Sequence, residues 1–76
     1  MNELTKLIVL GYDLQIDHTA DGFIKVVARK PGRHYEIEAA PGRPSAEHQR
    51  IALQVCLLDI VGRVDMDDAQ HITING

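Results

Sequence analysis

Residues 13–40 predict two successive β-hairpins whose register can be read from the sequence. Pro31 and Gly32 form the centre of a turn, since Pro fixes φ and Gly accepts a positive φ. Pairing outward from this turn gives one face of apolar pairs: Ala28 with Tyr35, Val26 with Ile37, and Ile24 with Ala39. The alternate positions are mostly polar, as expected for a sheet that is buried on one face and solvated on the other.

The loop of the first hairpin fixes the pairing of the preceding strand. A three-residue loop over residues 20–22, with Gly22 in the left-handed conformation, places Ile16 opposite Val26 and Leu14 opposite Ala28. A loop one residue shorter would set Asp17 against Val26 and exchange the two faces of the strand. The sequence therefore predicts a three-stranded antiparallel sheet.

The outward face of this sheet carries mixed charges, with an acid beside each of its cations. Its positions are Asp13, Gln15, Asp17, Lys25, Val27, Arg29, His34, Glu36 and Glu38. A sheet that binds single-stranded nucleic acid needs exposed aromatic rings and uncompensated positive charge, and only Phe23 at the rim offers a ring. We therefore expect a solvated face of weak ion pairs.

A helix is predicted on each side of the sheet in sequence, giving an α+β fold of order α-β-β-β-α with both helices on one sheet face. Asn2 can cap a short helix over residues 3–10 that stops at Gly11, although four consecutive aliphatic residues at 7–10 also allow a strand. After the Pro-rich segment 41–44, Ser45 can cap a second helix that extends to about Gly62.

The second helix carries two apolar stripes at helical spacing. The inner stripe consists of Leu53, Cys56, Leu57, Ile60 and Val64, and the outer stripe consists of Ile51, Val55 and Leu58. One stripe must cover the sheet. The other is covered either by the first helix lying alongside or by another protein, including a second copy of this chain.

Composition and length limit the class of protein. At 76 residues and a net charge of −3, residues 1–64 form a single domain, followed by an acidic tail over 65–76 that is frayed or pairs with a sheet edge. A run of acids near a terminus is usually solvated, so neither a metal ion nor another cofactor is predicted. Cys56 is the only cysteine and the longest early aliphatic run is short, which favours a cytoplasmic protein without a membrane segment.

The predicted order of elements over residues 3–62 resembles that of the double-stranded-RNA-binding-domain fold. That family grips duplex RNA with a Ser and clustered lysines at the start of its second helix, and with the loop between its first two strands. Here only Ser45 and Arg50 match that motif, and the loop supplies Asp21. The resemblance implies, as the alternative function, RNA binding through Ser45, Arg43 and Arg50.

Residues suited to catalysis are present but not grouped. Cys56 lies within an apolar stripe, where a thiolate is disfavoured. His18 and His34 fall on opposite faces of the predicted sheet, and the Asp13 and Asp17 carboxylates each face a cation across the strand. We therefore predict no catalytic residues and no enzyme activity.

The function predicted from the sequence is that of a small non-enzymatic protein-protein interaction module, acting as an accessory, regulatory or inhibitory factor. Two surfaces are candidates for partner binding. The first is the basic tip of the second hairpin, formed by Arg29, Lys30, Arg33 and His34, and the second is the outer stripe of Ile51, Val55 and Leu58. The basic tip suits an acidic partner and the outer stripe suits an apolar one, with self-association through the second helix as one form of the latter.

Overall fold

Two helices and a three-stranded antiparallel sheet make up the part of the chain that the structure, a computed structural model, describes: residues 2–19, 22–40 and 45–75. The elements in order are α1 (Glu3–Val9), β1 (Asp13–His18), β2 (Ile24–Lys30), β3 (Arg33–Ala39) and α2 (Ala46–Asn75). The predicted α+β class and the α-β-β-β-α order are confirmed.

The register of both hairpins is the one predicted. In the sheet order β1-β2-β3, Ile16 and Leu14 pair with Val26 and Ala28, and these in turn pair with Ile37 and Tyr35. Gly32 takes a φ of +82° in the turn between β2 and β3, which is the reason a glycine stands there. Alternating side chains and the turn residue thus agree on one alignment.

The beginning and end of α1 follow from two residues. The Asn2 Oδ1 atom accepts a hydrogen bond from the Thr5 amide at 2.8 Å, which caps the helix. Gly11 adopts a φ of +93°, and the amide of Tyr12 then donates to the Leu7 carbonyl at 3.0 Å. The helical prediction for this segment is confirmed, and the alternative of a strand over residues 7–10 is wrong.

Helix α2 begins as predicted and ends much later. The Ser45 Oγ atom accepts a hydrogen bond from the His48 amide at 3.2 Å, as an N-cap does. The helix then passes Gly62 without a break and continues through Asn75, so the predicted end near Gly62 is wrong, as is edge pairing for residues 65–75. A glycine inside a helix costs only about 1 kcal/mol relative to alanine, which tertiary contacts can offset.

Those contacts come from acidic residues in the C-terminal half of α2. Asp65 pairs with Lys6 of α1 at 3.0 Å, and Asp68 pairs with Arg33 of β3 at 3.0 Å. Val64, one residue before Asp65, is fully covered in the core. The acids that suggested a solvated tail therefore link this part of the helix to α1 and to the sheet.

The core lies between the sheet and the inner stripe of α2. Leu53 of that stripe is half-buried, and its other four members are buried. Beneath them lie the apolar residues of β2 and β3, while Leu7 of α1 and Tyr12 close one side: the buried sheet residues are Ile24, Val26, Ala28 and Tyr35. On the opposite sheet face Val27, which lies between Gln15 and Glu36 on the neighbouring strands, is also only 6% exposed.

Candidate interaction surfaces

The outer stripe of α2 is a row of exposed apolar side chains along a helix. Ile51 and Val55 are each 53% exposed and Leu58 is 50% exposed. Met66 at 63% exposure extends the same side of the helix by two turns. Exposed aliphatic side chains in a row on a regular helix form a preorganised apolar ridge, because no backbone rearrangement is needed to present them.

Helix α1 lies beside α2 rather than over the outer stripe. The Gln54 amide donates to the Glu3 carboxylate at 2.9 Å, and Lys6 pairs with Asp65, so α1 occupies one flank of α2. The first of the two predicted covers for the outer stripe is therefore wrong: α1 leaves Ile51, Val55 and Leu58 half exposed. Its own Val9 is also exposed.

Most cations of the basic tip have partners within the chain. Arg33 donates to the Tyr35 hydroxyl and pairs with Asp68, both at 3.0 Å, and these contacts raise the pKa of its guanidinium. Lys30 donates to the Leu10 carbonyl at 3.1 Å, with its ammonium 4.6 Å from the centre of the Tyr12 ring. These two cations act mainly as links between the hairpin and the helices.

The remaining two residues of the basic tip lie on the outward face. Arg29 donates to the Gln15 side chain at 3.3 Å, and both Arg29 and His34 are exposed. Lower on the same face Lys25 pairs with Glu36 at 2.9 Å rather than with the acids directly opposite it. The outward face is thus polar, as predicted, but the pairing differs: Lys25 pairs with the diagonal neighbour Glu36, and Arg29 bonds to Gln15 rather than to Asp13 opposite it.

A polar cluster that the sequence analysis missed joins β3 to the C-terminal half of α2. The Tyr35 hydroxyl donates to the Asp67 carboxylate and accepts a hydrogen bond from Arg33. Burial, together with the bond to Asp67, raises the pKa of Tyr35 to about 12, although Arg33 opposes part of this increase. Sequence periodicity contains no signal for a contact 32 residues apart; only a correct prediction of the length of α2 would have indicated it.

An open pocket lies at the opposite end of the sheet, where α2 begins. Its volume is about 240 Å3, and its lining residues are Ile16, His18, Ile24, Ala46, Gln49, Arg50 and Leu53. Of the residues predicted for RNA binding, Arg50 lies here and Ser45 caps α2 beside it, whereas Arg43 lies outside the described residues. One exposed arginine and an engaged serine make a small positive site.

Groups for catalysis or metal binding do not converge. His18 lines the pocket while His34 is on the outward face, and burial raises the pKa of the Cys56 thiol. Within the described residues, no three side chains of the types that bind metal ions come together. The same part of the chain contains no helix with the length and apolar character needed to cross a lipid bilayer.

Comparisons with known proteins add no further identification. Neither a model of a protein family, nor a curated protein, nor a solved structure matches this chain. The similarity to the double-stranded-RNA-binding-domain fold therefore rests on the order of elements, and the function has to be argued from the surfaces described above.

Proposed function

We propose that this protein is a non-enzymatic interaction module that binds another protein through the outer stripe of α2. The observation that carries this proposal is the half exposure of Ile51, Val55 and Leu58 on a continuous helix. Full burial of one such side chain stabilises a protein or complex by about 1.5 to 3 kcal/mol, so covering the exposed halves of three of them supplies several kcal/mol. Binding to a partner with an apolar surface is stabilised by that free energy.

The basic tip ranks second as a partner-binding surface. Its Arg33 and Lys30 are committed to contacts within the chain, which leaves Arg29 and His34 for an acidic partner. Charges at the rim of an interface mainly affect the rate of association and the choice of partner. In this proposal the tip assists recognition, and the module acts by occupying or bridging a surface, as accessory, regulatory or inhibitory factors do.

A cytoplasmic location belongs to the same proposal. It is supported by the single cysteine, Cys56, which is a free and buried thiol. Free thiols are stable in a reducing compartment, whereas small exported domains commonly rely on disulfides.

RNA binding is the alternative function. Affinity for duplex RNA depends on several cations that neutralise phosphates, and such binding weakens steeply with added salt. Arg50 is a single cation at the start of α2, and the Ser45 hydroxyl already binds His48. A titration of duplex RNA at low and moderate salt tests the alternative: steeply salt-dependent binding would favour it over protein binding.

Affinity capture with a matched pair of variants tests the proposed function. Leu58→Asp places a charge in the outer stripe, and Phe23→Asp places the same charge at another exposed apolar residue, at the rim of the sheet. We expect wild type and Phe23→Asp to retain the same partner, and Leu58→Asp to lose it while its circular dichroism spectrum stays unchanged. Partner recovery that Leu58→Asp leaves intact would contradict the proposal.

The basic tip is tested with a double variant that leaves Arg33 unchanged, because Arg33 also stabilises the fold. Arg29→Glu combined with His34→Glu places negative charge only at the two exposed positions. We expect this variant to slow association with the captured partner, and to do so more strongly at low salt. An association rate equal to that of wild type would remove the tip from the binding surface.

A further inference from the structure

We infer that the outer stripe docks onto a second copy of this chain, with the two α2 helices antiparallel. This inference depends on the proposed function only in that it uses the same stripe as a binding surface. It goes further by naming the occupant, the orientation and the residues that meet.

The residues on the open side of α2 follow the spacing of a coiled-coil seam. Alternating steps of three and four residues lead along this side of the helix: His48, Ile51, Val55, Leu58, Gly62 and Asp65. Such a spacing keeps a line of side chains on one face of a helix and suits packing against a second helix. The line is apolar in its middle and polar at both ends.

This line is complementary to itself when reversed. With the twofold axis midway between Val55 and Leu58, Val55 of one copy faces Leu58 of the other. One step outward, Ile51 faces the glycine at position 62, and a Cβ placed on Gly62 would meet no atom within 4 Å. A large side chain therefore meets an open position at both symmetric ends of the apolar segment, which is the alternation that close helix packing needs.

The ends of the line are complementary in hydrogen bonding. In the same register His48 of one copy faces Asp65 of the other. The Asp65 side chain is 55% exposed while it pairs with Lys6, so its carboxylate can accept a further donor. The Nδ1 atom of His48 bonds to the Ser45 hydroxyl, which leaves the Nε2 atom to donate to the facing carboxylate at each end of the interface.

A parallel arrangement of the same two helices lacks this complementarity. It would set Asp65 against Asp65 and leave two glycines facing each other at position 62. Like charges in contact are destabilising, and a pair of glycines leaves a void. The antiparallel arrangement also aligns the helix dipoles favourably. The residues thus select both the partner, which must carry this same pattern, and its direction.

Disulfide cross-linking tests the register. Ile51→Cys combined with Gly62→Cys places thiols that face each other only between antiparallel copies. Within one chain these positions are about 16 Å apart along the helix, beyond the roughly 7 Å limit between the Cα atoms of a disulfide. The native Cys56 is buried and does not compete. We expect mild oxidation to give a covalent dimer with the double variant and not with either single variant.

The single variants distinguish the possible outcomes of this test. A covalent dimer that forms as readily with Ile51→Cys alone would indicate parallel helices and overturn the inference. A double variant that associates when reduced but forms no covalent dimer on oxidation would also overturn the register. Light scattering of the reduced proteins is measured in parallel, so that a loss of association caused by the new side chain at position 62 is recognised.

Association of the purified chain provides the second test. We expect wild type and Phe23→Glu to be dimeric by sedimentation at micromolar concentration, and Leu58→Glu to dissociate at concentrations about tenfold higher or more. His48→Asp should weaken the dimer because it faces Asp65, whereas His48→Lys should retain it. Both substitutions are made at the first turn of α2, and circular dichroism verifies folding.

The outcome separates this inference from the proposed function. A purified chain that stays monomeric in this concentration range would overturn the dimer, while a partner whose capture depends on Leu58 would still support an interaction module. Equal association of His48→Asp and His48→Lys would overturn the register even if a dimer forms.

Discussion

The covered side of α2, which carries the inner stripe, and its open side, which carries the outer stripe, have the same kind of residue at the same helical spacing. Only the covered side is buried. Leu57 faces the sheet and is 4% exposed, whereas its neighbour Leu58 is 50% exposed. The covered side meets β2, β3 and Leu7 of α1. Since α1 lies on a flank, nothing among the described residues covers the open side.

This difference shows that an apolar stripe indicates a helix face whose burial is favourable. The stripe does not identify the structure that buries it. The covered side is buried within the chain, so the residues of that side determine the stability of the fold. On the open side the same chemistry remains available for association. Substitutions on the two sides should therefore change different measurable quantities.

The largest expected effect is that of Leu57→Ala, set against Leu58→Ala. Removing most of a buried leucine side chain costs about 3 kcal/mol, because the transfer free energy is lost and a cavity remains. At Leu58 the same change should cost less than about 1 kcal/mol in the single chain, since half of the side chain is in water and alanine favours a helix. Chemical denaturation at low protein concentration measures both.

The concentration dependence of unfolding sharpens this comparison. If the open side is an association surface, the stability of wild type should rise with protein concentration, and that of Leu58→Ala should rise less. Equal losses of stability for the two alanine variants at low concentration would contradict the division into covered and open sides.

An intermediate effect is expected at high pH from Tyr35, on the covered side. Its pKa is raised to about 12, so the protonated hydroxyl is favoured in the folded state. The corresponding stabilisation is fully present below the ordinary tyrosine pKa of about 10 and is lost as pH rises through the folded value.

The variant Tyr35→Phe isolates this contribution. Between pH 10 and 12 we expect the free energy of unfolding to fall more in wild type than in the variant, and both are followed by urea denaturation. At neutral pH the variant should lose about 1 kcal/mol, because the bonds to Asp67 and Arg33 are gone. Parallel pH profiles of the two proteins would mean that the hydroxyl is not protected by folding.

The smallest expected effect comes from the second tyrosine. Tyr12 packs edge-on against Tyr35, with ring centres 5.9 Å apart, and its buried hydroxyl has no hydrogen-bond partner among the described residues. Phenylalanine keeps the ring and removes a desolvated polar group, so Tyr12→Phe should be neutral or more stable by up to about 1 kcal/mol. A thermal melt is sufficient, and a loss comparable to that of Tyr35→Phe would indicate an overlooked partner.

The sheet was predictable because its information is local. Alternation along residues 13–40 fixed the faces, and turn residues such as Gly32 fixed the alignment, so every predicted pair from Ile16–Val26 to Val26–Ile37 is found. The caps Asn2 and Ser45 were equally local signals, and each forms its predicted bond.

The errors concern contacts between residues distant in sequence. The predicted end of α2 near Gly62 agrees with the usual place of a glycine just after a helix. The pairs that accompany the longer helix, Asp65–Lys6 and Asp68–Arg33, span 59 and 35 residues and leave no local signal. What covers the outer stripe was also undecidable from the sequence, since the spacing of Ile51, Val55 and Leu58 does not show whether α1 lies over them or beside them.

The length of α2 has a hydrodynamic consequence. A helix of 30 residues is about 45 Å long, close to the 47 Å long dimension of a molecule only 21 and 18 Å across. Rotation of the single chain in solution is therefore that of a short rod. Amide vectors in α2 point along the rod and those in the strands point across it, so 15N spin relaxation rates will fall into two classes that reflect orientation rather than flexibility.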